Sequence, residues 1–160
     1  MTWQVSAIIC HLGAGASMAA VQHGKCVDTT MGLTPLEGLV MATRAGDVDA
    51  GVLNFLSSQL QYSPEKIDAL LNKQSGLQGM CGMGDWRAIS AAAMDGNEQA
   101  QLARAVFVER IRKYLGAYLV KVRPSLLPTF SYCTLLMRLL LTVPLPRPCP
   151  PLALAAGRRG

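Results

Sequence analysis

The segment His11-Leu12-Gly13-Ala14-Gly15-Ala16-Ser17 contains residues that could hold a phosphate group. It follows the apolar run of residues 5–10, which is short and rich in β-branched side chains and is therefore predicted to be a buried strand. Gly13 and Gly15 allow the backbone to turn sharply and to bring its N–H groups close to a bulky anion. Two glycines after a strand are also typical of an ordinary tight turn, so both interpretations stay open.

Two ionisable side chains are further candidates for chemistry, and each also has a purely structural interpretation. His11 could be an interior histidine whose hydrogen bonds are satisfied within the fold. Arg44 could be a surface arginine that pairs with Asp47 or Asp49, a kind of contact that contributes little to stability. The residue types alone do not separate these interpretations from a role in binding or catalysis.

The net charge of +5 arises entirely from the C-terminal part of the chain. Residues 1–122 contain ten Lys or Arg and ten Asp or Glu, whereas residues 123–160 contain five arginines and no acidic residue. The arginines of this tail lack interleaved aromatic residues, lysines and an amphipathic helical pattern. We therefore predict that neither nucleic acid nor a membrane is a partner of this chain.

Residues 123–160 also hold seven of the nine prolines, together with repeated leucine. Prolines between positions 144 and 151 exclude a regular helix there, and Pro128 and Arg138 interrupt the only apolar stretch that approaches the length of a membrane span. This composition favours a segment translated in another reading frame, or from an unspliced message, over a genuine extension. We expect the tail to lie outside the fold and residues 1–122 to form a partial domain.

The five cysteines are odd in number, are not clustered, and follow no signal peptide. This usage is typical of reduced thiols in an intracellular protein and does not indicate a disulfide framework or a zinc site. We expect a cytoplasmic protein whose site holds no protein-bound metal.

The order of predicted elements is strands first and helices afterwards. Strands are predicted at residues 5–10, 18–22 and 25–30, the last two joined by a turn at His23-Gly24. A short helix is predicted after a capping Thr34 followed by Pro35. Further helices are predicted after the caps Asp49, Ser63 and Asp85 and over residues 97–122, with a loop at residues 79–84. The pattern favours an α/β fold, or an α+β unit, in which short antiparallel strands precede a helix cluster.

Five blocks of residues resemble the acetate kinase family, in that family's order and roughly its spacing. They cover residues 11–17, 28–41, 43–49, 71–77 and 112–118, so that the resemblance extends over about residues 4–120. It implies an actin-like, sugar-kinase-like (ribonuclease H-like) domain. It also implies transfer of a phosphoryl group from ATP, with Mg²⁺, to acetate or another short-chain carboxylate, and either a homodimer or pairing with a full-length subunit.

The same resemblance implies roles for individual residues. His11 and Arg44 correspond to catalytic positions that hold the phosphoryl group in its transition state. Gly13, Ala14, Gly15 and Ser17 correspond to the second phosphate-binding loop, which binds the nucleotide. Ala14 replaces the asparagine that the family usually has, and a hydrogen bond to a charged oxygen is worth about 1.5–3 kcal/mol.

The resemblance further implies that the family's N-terminal domain and its adenosine-binding glycine motif have no counterpart in this sequence. Because catalysis by domain closure needs residues from both sides of a cleft, we expect this chain alone to turn over slowly or not at all. The alternative to a phosphotransferase is a catalytically inactive fragment that binds nucleotide or dimerises.

Overall fold

The computed structural model describes residues 5–122. The prediction that the tail lies outside the fold concerns residues 123–160, which are not among them. The described chain forms a three-stranded sheet followed by a cluster of helices, which confirms the predicted α/β class with short antiparallel strands first. The elements are β1 (Ala7–Leu12), β2 (Ala16–Gln22), β3 (Lys25–Thr29), α1 (Ala50–Ser58), α2 (Pro64–Lys73), α3 (Gly76–Cys81), α4 (Trp86–Met94) and α5 (Glu98–Val122).

The sheet is an antiparallel meander in the order β1-β2-β3. His23 and Gly24, which join β2 to β3, have φ values of 50° and 77°. Both lie in the left-handed region that a two-residue hairpin turn requires, so the turn is confirmed. β1 begins and ends two residues later than the predicted strand, because its pairing with β2 continues to the Leu12–Ala16 pair. His11 therefore lies within the strand.

The two faces of β2 differ in burial. Ala16, Met18 and Ala20 are almost completely buried, whereas the intervening residues are only half-buried. This period of two places one face of the sheet on the hydrophobic core. Ser17 lies on the other face, and the register places it directly opposite His11.

Helix α5 is the largest contributor to the core and packs against α3, α4, β1 and β2. Its buried face carries Ala100, Ala103, Phe107, Val108, Ile111, Tyr118 and Val122. Leu102 and Leu119 are exposed, although the spacing of apolar residues by three and four would place them on the buried face. Small alanines, which allow α5 to approach its neighbours closely, occupy the positions that face the core near its start.

The predicted helix caps are confirmed for three helices. The side chain of Asp49 accepts a hydrogen bond from the Gly51 amide at 2.7 Å. Ser63 caps α2 through the Lys66 amide, and Asp85 caps α4 through the Arg87 and Ala88 amides. Each cap satisfies amide groups that have no partner within the first turn of a helix.

Two predictions about local structure were wrong. No helix follows Thr34, because Gly38 has a φ of 101° and any β-carbon there would overlap the Thr30 carbonyl. Leu39, Val40 and Met41 are buried in succession, which an amphipathic surface helix cannot achieve. The glycine-rich stretch predicted as a loop begins inside α3, which ends where Gly82 adopts a left-handed conformation.

Within residues 5–122, no helix combines the length and the apolar character needed to cross a membrane.

Candidate functional site

A three-residue loop, Gly13–Gly15, joins β1 to β2 at the edge of the sheet. The Gly13 amide donates to the Gly15 carbonyl at 3.0 Å, which closes the loop on itself. Among the described residues, the amides of Ala14 and Gly15 have no acceptor. Backbone N–H groups that project from a tight glycine turn are suited to bind anions.

His11 lies beside this loop. A β-carbon added at Gly13 would lie 3.7 Å from Nε2 of His11, so the imidazole extends along the loop. Ser17 pairs with His11 across the two strands, and side chains of such a pair lie on the same face of a sheet. The structure therefore places a histidine and a hydroxyl group side by side next to the glycine loop.

The guanidinium group of Arg44 approaches the same loop from another part of the chain. A β-carbon added at Gly15 would lie 3.6 Å from Nη1 of Arg44. Nη1 donates to the Pro35 carbonyl at 3.3 Å and lies 3.7 Å from Sδ of Met41. Arg44 forms no ion pair with any residue between positions 5 and 122, so the expected alternatives of Asp47 and Asp49 as its partners were wrong.

The backbone around Arg44 is held by hydrogen bonds on both sides. The Met41 amide donates to the Arg44 carbonyl at 3.2 Å, and the Ala42 amide donates to the Ala14 carbonyl of the glycine loop at 3.0 Å. On the opposite side the Ala45 amide donates to the Leu71 carbonyl of α2 at 2.9 Å. The glycine loop and the arginine segment are thus joined directly through their backbones.

Gly76 makes this arrangement possible at the start of α3. Its φ is 62°. A β-carbon there would lie 2.7 Å from the Arg44 carbonyl oxygen and would overlap the Met41 carbonyl oxygen. Gly76 therefore lies where two backbone segments approach too closely for a side chain, and only glycine fits there.

Asp47 forms no ion pair with Arg44 and is instead bound by α5. Its carboxylate accepts hydrogen bonds from Nη1 of Arg110 at 2.7 Å and from the Tyr114 hydroxyl at 2.9 Å. Partial burial would raise the pKa of Asp47, but hydrogen bonds from Tyr114, the Gly38 amide and Arg110 together hold the pKa below its usual range. Burial and the neighbouring carboxylate raise the pKa of Tyr114 to about 12, so its hydroxyl remains a donor.

A cavity of about 630 Å³ adjoins the same arginine. Its lining combines cationic, hydroxyl and amide groups with one acidic residue: Thr34, Leu36, Thr43, Arg44, Asp68, Asn72 and Lys73. Nothing in residues 5–122 gathers three or more His, Cys, Asp or Glu side chains that could hold a metal ion. The cationic, hydroxyl and amide donors of this lining suit a phosphate or carboxylate group.

All the predicted site residues lie on two adjoining segments. His11, Gly13, Ala14, Gly15 and Ser17 belong to the β1–β2 hairpin, and Arg44 reaches it through space. The sequence reasoning missed two structural contributions: Gly76, whose only signal is the Ser-Gly pair between two helices, and the binding of Asp47 to α5. The latter joins residues 63 positions apart and leaves no local pattern in the sequence.

Comparisons with known proteins identify the family of the chain. The model of the acetokinase family matches residues 2–128 of the chain. An acetate kinase from Nitratidesulfovibrio vulgaris strain Hildenborough is 59% identical over 115 residues, which cover 72% of this chain and 29% of the relative. An acetate kinase from Lawsonia intracellularis is 53% identical over 115 residues, covering 72% of this chain and 28% of the relative.

Solved structures give the same result. The crystal structure of Porphyromonas gingivalis acetate kinase is 45% identical with a TM-score of 0.72, over 75% of this chain and 30% of that protein. A propionate kinase from Francisella tularensis is 46% identical with a TM-score of 0.70, over 71% and 30% of the two chains. The chain spans about three-tenths of the length of the relatives it matches. These matches show that the chain belongs to the acetokinase family.

Proposed function

We propose that residues 5–122 supply the phosphate-binding loop and the arginine of an acetate kinase-type phosphotransferase site. The reaction is the transfer of the terminal phosphoryl group of ATP to acetate, or to another short-chain carboxylate, giving acetyl phosphate and ADP. The observation that carries this proposal is the approach of the Arg44 guanidinium to the Gly13–Gly15 loop. The family membership of the chain supports the same reaction.

The loop and the arginine have separable tasks in this reaction. Phosphoryl transfer depends on alignment and on stabilising charge that spreads over the phosphoryl oxygens. The amides of Ala14 and Gly15 bind phosphate oxygens of the nucleotide from the sheet side. Arg44 faces them with a planar, permanently charged fork that can bind two oxygens at once.

His11 and Ser17 complete the contacts on the sheet side. The imidazole along the glycine loop donates a hydrogen bond to a phosphoryl oxygen, and the Ser17 hydroxyl beside it provides a second donor. Mg²⁺ bound with ATP would neutralise part of the phosphate charge. Residues 5–122 include no cluster of metal ligands, so we assign none of them to the metal.

We propose that the isolated chain binds phosphate but catalyses phosphoryl transfer slowly or not at all. It corresponds to about three-tenths of its relatives, and a two-domain cleft requires groups from both walls within about 0.5 Å of productive geometry. Residues 5–122 provide one such wall.

A second candidate function is that of an inactive fragment that pairs with another subunit. Helix α1 favours it, because only Leu56 is buried there while Val52, Leu53 and Phe55 remain exposed. Apolar patches of this kind are typical of interaction surfaces.

Formation of acetyl phosphate from ATP, Mg²⁺ and acetate, trapped with hydroxylamine, tests the proposal in the full chain. We expect slow product formation that His11→Asn abolishes, whereas His23→Asn, in an exposed turn, leaves it unchanged. If folded protein binds ATP but forms no product, the phosphotransfer activity fails in this chain. Co-purification of the inactive chain with a full-length relative would then support the second candidate. If it binds neither ATP nor phosphate, the phosphate-binding role itself is wrong.

A further inference from the structure

The segment that carries Arg44 is a loop closed at its two ends, Gly38 and Asp47. The Asp47 amide donates to the Gly38 carbonyl at 3.0 Å, and the Gly38 amide donates to Oδ1 of Asp47 at 2.9 Å. We call residues 38–47 the arginine loop. Gly38 and Gly46 both have positive φ values, so the backbone at each end is fixed in a conformation that other residues rarely adopt.

Helix α5 holds the closed end of the arginine loop. Oδ2 of Asp47 lies 2.7 Å from Nη1 of Arg110 and 3.7 Å from Nζ of Lys113, and both carboxylate oxygens lie within 3.0 Å of the Tyr114 hydroxyl. The side chains of Asp47 and Arg110 are each about a quarter exposed. Water therefore competes less for this pair than for one on the open surface.

The ion pair between Asp47 and Arg110 also leaves the positive charge of Arg44 uncompensated beside the glycine loop. Asp47 stands only three residues after Arg44 and would neutralise it if the two side chains met. Because Arg110, Lys113 and Tyr114 occupy the carboxylate, Arg44 keeps its full positive charge beside Gly15. The cluster thus fixes the loop and separates its aspartate from its arginine.

We propose that Asp47, bound by Arg110 and Tyr114, is a positioning residue that holds Arg44 in place for phosphate binding. This inference rests on the proposed function, since it deepens the role given there to Arg44. It makes α5 part of the phosphate site through its contacts with Asp47.

The chain contains a matched control for this cluster. Asp28 on β3 is bound by Lys121 and Tyr118, again a lysine or arginine and a tyrosine of α5. The rings of Tyr114 and Tyr118 contact each other with centroids 5.9 Å apart. Asp28→Asn therefore removes a comparable tie to α5 without touching the arginine loop.

The first test measures the arginine itself by NMR of the ¹⁵N-labelled full chain. In Asp47→Asn, we expect the Nε–Hε resonance of Arg44 and the Gly38 and Gly46 amides to shift towards values typical of mobile segments. Asp28→Asn should leave them unchanged, and Asp47→Glu should restore part of the wild-type spectrum. Unchanged Arg44 signals in Asp47→Asn would overturn the inference, whether or not the chain binds phosphate.

The second test measures the affinity for inorganic phosphate by isothermal titration calorimetry in a double-mutant cycle. We expect Asp47→Asn to weaken binding about tenfold in the wild-type background and to have no effect in Arg44→Gln, as for two coupled groups. Equal weakening in both backgrounds would indicate a general structural role and overturn the inference. If the wild-type chain binds no phosphate while Asp47→Asn still alters the Arg44 signals, the proposed function fails and the positioning role stands.

Discussion

Nη1 of Arg110 lies 2.7 Å from Oδ2 of Asp47, although the two residues are 63 positions apart in the chain. This contact ties the middle of the longest helix to the loop that carries Arg44. It also leaves Arg44 without an ion pair among residues 5–122. The positive charge of Arg44 beside the glycine loop thus depends on the contact between Asp47 and Arg110, at the closed end of the arginine loop.

The Asp47 contact makes stability depend on pH in the acid range. The folded state holds the pKa of Asp47 below its usual range, whereas the unfolded chain has an ordinary carboxyl group with a pKa of about 3.9. The unfolded state therefore binds the proton first, and the stabilisation present at neutral pH is lost as the pH falls through the folded-state pKa.

Asp47→Asn should accordingly lower the free energy of unfolding at pH 7 by about 1–3 kcal/mol, the cost of losing a hydrogen-bonded charge. The difference from wild type should shrink below about pH 4, where the wild-type carboxylate also becomes protonated. Urea titrations between pH 3 and pH 7 measure it. A difference in the free energy of unfolding that stays constant between pH 3 and pH 7 would contradict the lowered pKa of Asp47.

Removal of the Arg44 guanidinium should weaken phosphate binding with little effect on folding. A charge-assisted hydrogen bond is worth about 1.5–3 kcal/mol, so Arg44→Gln should raise the dissociation constant for phosphate about 10- to 100-fold. Arg87→Gln removes an equal charge from an exposed position at the start of α4 and should have no effect. Equal weakening by both variants would mean that only net charge matters.

The glycine loop should bind phosphate more tightly when Ala14 is replaced by asparagine. Ala14 is exposed and its φ is not positive, so the loop can accept the larger side chain. The added amide donates one more hydrogen bond to a charged phosphate oxygen, worth about 1.5–3 kcal/mol. Ala14→Leu, which adds bulk without a donor, should not tighten binding. Calorimetry with inorganic phosphate compares the three chains, and tighter binding by the leucine variant would refute this explanation.

Gly76 and Gly116 should respond in opposite ways to the same substitution. Gly76→Ala would push a β-carbon into the Met41 and Arg44 carbonyls at a positive φ, and we expect a loss of about 1–3 kcal/mol or more. Gly116 lies inside α5 with no atom within 4 Å of an added β-carbon, and alanine there should stabilise the helix by about 0.5–1 kcal/mol. Thermal unfolding of both variants measures this, and a tolerated Gly76→Ala would show that the close contact is not needed.

Local sequence signals predicted the parts of the fold that depend on neighbouring residues. Asp49, Ser63 and Asp85 mark helix starts because a cap satisfies amides only two or three residues away. The His23-Gly24 turn follows from the same kind of local requirement. The predicted helix after Thr34 failed because a distant contact, the approach of Gly38 to Thr30, overrides a favourable capping sequence.

The candidate site was predictable to a similar extent. The glycine loop and its histidine are adjacent in the sequence, so their proximity follows from the strand and turn. That Arg44 belongs with them followed from the family resemblance, because no local rule brings residue 44 to residue 15. The sequence alone left open an ion pair of Arg44 with Asp47 or Asp49, and the packing of α5 against Asp47 shows why the pair with Asp47 does not form.

The most direct test of the phosphate site is an NMR titration of the ¹⁵N-labelled full chain with inorganic phosphate. We expect saturable shifts confined to the amides of residues 11–17 and the side chain of Arg44, and we expect Arg44→Gln to remove them. Shifts spread over unrelated surfaces, or limited to the arginines of residues 123–160, would contradict the assignment of this loop as the phosphate site.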